Sequence, residues 1–178
     1  MTARRLMVQA GQLAVAIGCA TLAQAASAPE VPDAIKAPSG ETVVLELHAK
    51  GSQIYTCTTA DGKSQWTLKA PDAELRDGKG AVIGHHAAGP SWKLKDGSEV
   101  TGKAAAKVAS PDKDSIPWLL VSVVSHDGKG MLEHVTSIQR VNTHGGQPPA
   151  GECDPVKQTS ELKVPYSADY YFFAPATS

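Results

Sequence analysis

Histidine and tryptophan are the side chains of this 178-residue chain best suited to chemistry, by ligation, proton transfer or stacking. Imidazole holds zinc or copper when three or four N, S or O donors converge on one point. His48, His85, His86, His126, His134 and His144 show neither H-E-x-x-H nor H-x-H spacing. A metal site would therefore have to be assembled from distant segments, and a turn or surface role is the default for these residues. His85 and His86 point to opposite faces if their segment is extended, so one at most enters a shared site from a strand. His85 is the leading candidate of the six. His126 directly precedes Asp127-Gly128, which places it at a loop tip.

The remaining reactive types say less. Ser91 in Gly89-Pro90-Ser91-Trp92 is not a G-x-S-x-G elbow. Gly78, Gly80 and Gly84 do not spell a phosphate loop, and no Lys-Ser/Thr follows them. Asp72, Glu74 and Asp77 are carboxylates of the kind that share acid/base work, but a solvated loop edge explains them as well. Trp66 and Trp118 sit within strand patterns, where core packing is the default. Trp92, beside Gly89 and Pro90, is the tryptophan free to line a pocket, where its ring face would suit a sugar.

The elements that must position these groups have a period of two. Val43, Leu45 and Leu47 alternate with Val44, Glu46 and His48, which predicts a half-buried strand. Gly51-Ser52 predicts a turn, Gln53 to Thr58 a returning strand, and Asp61-Gly62 another turn before a strand over 65–69. Pro71 to Asp77 reads as one short helical turn. Ser91 to Leu94, Asp96-Gly97 and Val100 to Lys103 predict a hairpin closed by a type I′ turn. Ala104 to Val108 extends as a short helix until Pro111 stops it. Trp118 to Ser125 is nearly continuous in apolar residues, which predicts a central strand covered on both faces; Met131 to Val141 and Val164 to Phe173 follow. Many short strands between Gly, Asp and Pro turns predict an all-β domain over 41–178, an antiparallel sandwich or partly closed barrel with little helix.

Residues 1–25 read as an export signal. Arg4-Arg5 begins it, Leu6 to Leu22 is apolar with small residues interleaved, and Ala23-Gln24-Ala25 is a small-x-small cleavage site. The run is too short and too rich in Ala and Gly for a good membrane span. Ala16-Ile17-Gly18-Cys19 loosely matches a lipoprotein box, a minority alternative that would lipidate Cys19, and Arg4-Arg5 also resembles a twin-arginine signal. Residues 26–40, with Pro29, Pro32 and Pro38, read as an extended tether. The expected location is the periplasm or the exterior.

Of 17 basic and 18 acidic residues, the leader removes only Arg4 and Arg5, leaving 15 against 18, a net charge of −3. That charge, without Lys/Arg clusters, argues against nucleic acid and anionic membrane surfaces as partners. With Cys19 in the leader, Cys57 and Cys153 remain, and an even pair in an oxidising compartment most simply forms one disulfide. It would close a loop of about 96 residues, which the chain-entropy argument values at roughly 4–5 kcal/mol. Neither cysteine sits in a C-x-x-C unit, so metal ligation by both is the poorer reading.

A series of ordered motifs resembles a known family. They are Tyr55-x-Cys57, Trp66, Gly84-His85, Gly89-Pro90-x-Trp92 and Asp96-Gly97-Ser98-x-Val100-x-Gly102. Ile138-Gln139-Arg140-x-Asn142-Thr143-x-Gly145-Gly146, Cys153 and Tyr170-Tyr171-Phe172 complete the series. Together, over about Pro38 to Ala174, they resemble the domain of unknown function 3455 family of exported bacterial proteins and fungi. That resemblance implies no activity and no cofactor. Some fungal relatives carry dehydrogenase labels, but no Gly-rich dinucleotide fingerprint occurs here.

A site built from these motifs comprises His85, Trp92, Arg140, Asn142 and His144. The leading expectation is an exported β-rich module that binds a small molecule, glycan or protein, with no cofactor and no resident metal. A metal-dependent hydrolase or oxidoreductase using His85 with His126, His134 or His144 is one alternative, and a structural envelope component the other.

Overall fold

The computed structural model describes residues 27–157 and 161–176. The expected leader, with Cys19, lies outside them. Eight strands form one antiparallel sheet: β1 (Glu41–Ala60), β2 (Lys63–Arg76), β3 (Val82–Ala87), β4 (Ser91–Leu94), β5 (Glu99–Val108), β6 (Trp118–Asp127), β7 (Ser137–Gly145) and β8 (Leu162–Pro175). Each pairs with its sequence neighbour, and β8 returns to pair with β1, so the ring closes. Closure removes the two free end strands of an open sheet, while β2 pairs with β3 only over residues 73–76. The all-β expectation holds, in its barrel-like rather than its sandwich form. No helix among the described residues is long and apolar enough to cross a membrane.

Alternation decides what faces the interior. Leu47 and Ala49 of β1, Leu75 of β2, Trp92 and Leu94 of β4, Val100 of β5, Val121 of β6, Ile138 of β7 and Tyr170 and Phe172 of β8 form one buried cluster. Cross-strand partners share this face: Leu47 opposes Tyr170, Trp92 opposes Val100, and Ile138 opposes Phe172.

Several local expectations change. Gly51-Ser52 is not a turn; β1 runs through it as one 20-residue strand. A Cβ on Gly51 would lie 2.1 Å from the Asp72 carbonyl oxygen, so glycine there permits close approach of β2. Pro71 to Arg76 and Ala104 to Val108 are strand rather than helix, because ladder pairing to β1 and β6 outweighs weak local propensity, and Asp77 lies just past the end of β2. The β4–β5 connection is a hairpin but not type I′, since Gly97 alone has positive φ (94°). Its Leu94 accepts from the Gly97 N–H, and the Leu94 N–H donates to Ser98, the pattern of a type I turn with a bulge. Strand β6 is not covered on both faces: its last four residues are exposed. Met131 to His134 is a turn preceding β7.

Residues 27–40, read as a tether, include a 3-10 turn at Asp33–Ile35. Ile35 is fully buried, and its carbonyl accepts from Gln139 Nε2 at 2.7 Å. Gln139 opposes Tyr171, on the face opposite the inward Ile138, so this segment covers the outside of the ring, against β5 and β6 and reached by Gln139 of β7. Cys57 of β1 and Cys153 of the β7–β8 connection stand at bonding distance, with Cα atoms 5.8 Å apart.

Candidate functional site

The inward face is not filled everywhere. Beside the β3–β4 turn, which carries Gly89 and a cis Pro90, the interior opens into a cavity of about 270 Å³. Gln53, His86, Trp92, Val121 and Tyr170 form its buried floor; Leu68, Lys69 and Ala104 form an exposed rim. Arg140 and Leu119, partly buried and directly opposite each other on β7 and β6, complete the wall.

The floor is built by register. His86 opposes Trp92 across the β3–β4 hairpin, so both turn inward, and their rings stack at 4.4 Å and 14°. Tyr170, inward from β8, meets both edge-on, at 5.2 Å from His86 and 5.7 Å from Trp92. Arg140 opposes Tyr170 on β7 and so reaches the same interior. Gly102 makes room for Val121 beneath the indole: a Cβ there would lie 2.5 Å from Val121 Cγ1 and at contact distance, 3.4 Å, from Trp92 Cζ3.

The polar groups of this floor are under-satisfied. Gln53 Nε2, Trp92 Nε1 and the Tyr170 hydroxyl are buried without a hydrogen-bond partner. The Tyr170 hydroxyl lies near the Tyr166 hydroxyl and the Arg140 guanidinium, yet neither is in hydrogen-bond geometry with it. Buried polar groups are almost always paired, so three without a partner at one cavity set it apart from the packed core. Arg140 donates from Nε (3.2 Å) and Nη2 (2.8 Å) to one neutral acceptor, the Pro117 carbonyl.

Electrostatics follow from burial. His86 donates from Nδ1 to the Ser91 carbonyl at 2.8 Å. Burial, with the positive fields of Arg140 and His85, pushes its pKa down to about 3. At neutral pH it is therefore uncharged. Burial likewise raises Tyr166 and Tyr170 well above the usual phenol range, while the Arg140 charge opposes the rise at both. The cavity is aromatic, neutral on its floor and positive at Arg140.

Of the five expected site residues, Trp92 and Arg140 line this cavity. The other three lie elsewhere. His85 is on the outer face, its Nε2 3.0 Å from Asp72 Oδ1. Asn142 donates to Asp169 Oδ2 at 2.8 Å, and both share a shallow outer groove with His48 and His144. His144 Nδ1 lies 3.6 Å from Asp112 Oδ2. His126 donates to the Val135 carbonyl and shares another surface groove with His134. Among the described residues, no three His, Cys, Asp or Glu side chains gather in a way that would hold a metal ion.

Sequence reasoning missed His86, Gln53 and Tyr170. The signal for His86 was present: a hairpin turning at Ala88 to Pro90 pairs 86 with 92, so an inward Trp92 requires an inward His86. Trp92, the tryptophan expected to line a pocket, lines this cavity while only 1% exposed, whereas Trp66 and Trp118, expected in the core, are partly exposed.

The profile of a family described as a protein of unknown function (DUF3455) matches residues 38–174. No curated protein and no solved structure matches the chain.

Proposed function

Because the chain belongs to that family, whose description assigns no activity, we propose a function from the cavity itself: an exported binding module that takes a small molecule into the mouth of its ring of strands. The observation that carries the reading is one cavity with both Trp92 and Arg140 in its lining. Small-molecule sites are concave and mostly apolar, with a few convergent polar groups, and they recur at the mouths of closed β-sheets. Trp92, Leu119 and Val121 supply apolar wall; Gln53, Trp92 Nε1, Tyr170 and Arg140 supply polar anchors. Export rests on the basic start, apolar run and Ala23-Gln24-Ala25 site of the leader.

The test is a small-fragment screen by NMR on the 15N-labelled protein. Binders are expected to move the Trp92 indole N–H and the Gln53 side-chain amide together. Hits that leave both unmoved and instead shift residues of the outer grooves, or an absence of hits, would overturn the reading.

A further inference from the structure

We propose that the ligand of this cavity is a small organic carboxylate, its charged end on Arg140 and its apolar body against Trp92 and Leu119. The inference rests on the cavity being a binding site and names the chemical class that the site takes.

Charge comes first. Among the described residues no Asp or Glu lines the cavity, and its two cationic side chains are Lys69 and Arg140. Lys69 stands on the rim and pairs with Glu161. Among the described residues, Arg140 has no carboxylate within ion-pair distance. Its two hydrogen bonds go to one neutral carbonyl, so no anionic acceptor among the described residues meets its charge. A partly buried cation with no counter-ion is costly, and a bound anion removes that cost.

The floor agrees in kind. Gln53 Nε2 and Trp92 Nε1 can only donate, and the Tyr170 hydroxyl is free to donate. A surplus of donors suits a group that only accepts, and a carboxylate is such a group, with fork geometry that matches guanidinium. His86 is held neutral, so the lining offers one unpaired positive charge, which matches a monoanion better than a phosphate dianion. Around these groups Pro90, Trp92, Leu119 and Val121 are apolar, so the body of the ligand is apolar too. A cavity of about 270 Å³ limits it to a compact molecule.

The experiment titrates the full chain with hexanoate and benzoate, and with hexan-1-ol and benzyl alcohol, following the Trp92 indole N–H and heat of binding. At least one acid is expected to bind at least tenfold more tightly than its alcohol. Arg140→Lys should keep that preference and Arg140→Gln should lose it. Should Arg140→Gln fail to fold, the comparison on the unaltered protein and on Arg140→Lys still decides. Alcohols binding as tightly as acids would overturn the carboxylate while leaving the cavity a binding site. Acids that fail to move Trp92, when neutral fragments do move it, would have the same meaning. Silence from acids, alcohols and the fragment screen alike would remove both claims.

Discussion

Replacing His86 with glutamine tests the electrostatics of the cavity floor, because the structure fixes both the sign and the size of the effect. The His86 pKa falls from an ordinary 6.5 to about 3 on folding, chiefly through burial. Below pH 6.5 the unfolded chain therefore binds a proton that the folded chain refuses, and stability falls as pH drops through the window from 6.5 toward 3. Between pH 7.5 and 5.0 this one group costs about 2 kcal/mol, from the linkage relation at about 1.4 kcal/mol per unit. The assayed interval, pH 7.5 to 5.0, lies above the ordinary carboxylate values of about 4. Glutamine cannot titrate, yet it retains a donor able to reach the Ser91 carbonyl. The assay is urea denaturation at the two pH values, followed by tryptophan fluorescence with the disulfide intact. Taking the pH difference within each protein cancels any uniform loss of stability and the contributions of the five other histidines. The unaltered protein should lose about 2 kcal/mol more than His86→Gln on acidification. Equal losses would refute the claim that His86 is buried and neutral.

Three further outcomes follow from packing. Gly51→Ala should destabilise by about 2–3 kcal/mol in the same denaturation assay, since its Cβ would overlap the Asp72 carbonyl. Gly78→Ala, in open space and without a positive φ, should leave stability within about 1 kcal/mol or raise it slightly. Ile35→Ala should cost about 2–4 kcal/mol, because a fully buried side chain leaves a cavity. A cost near zero would return residues 27–40 to the role of a loose tether.

Fold class was legible because period-two alternation is a property of local sequence. Val43 to His48 and the hairpin around Asp96-Gly97 carried it, and strand pairing preserved both. What was not legible was decided by partners distant in sequence. Pro71 to Asp77 looks helical alone, and all of it but Asp77 becomes strand because β1 runs beside it. Gly51 resembles a turn residue until Asp72 and Ala73 are seen pressed against it. The closure of β8 onto β1 joins residues more than a hundred positions apart, and no local pattern announces it.

The candidate site was half legible for the same reason. Trp92 and Arg140 were singled out from the motifs that hold them, Gly89-Pro90-x-Trp92 and Ile138-Gln139-Arg140, and they share one cavity. Asn142 and His144 follow Arg140 closely in sequence, but they lie beyond a register shift in β7 and line an outer groove instead. Choosing between His85 and His86 required knowing which face of β3 is inward. Only the pairing of 86 with 92 supplies that.

The most direct test of the binding reading is to close the mouth without touching the floor. Ala104 is exposed on the rim, so Ala104→Trp adds bulk there while the buried floor keeps its side chains. The measurement is a calorimetric titration of the tightest ligand from the fragment or acid series into both proteins. The account predicts affinity at least tenfold weaker in Ala104→Trp with stability unchanged. Equal affinity in the two proteins would contradict it.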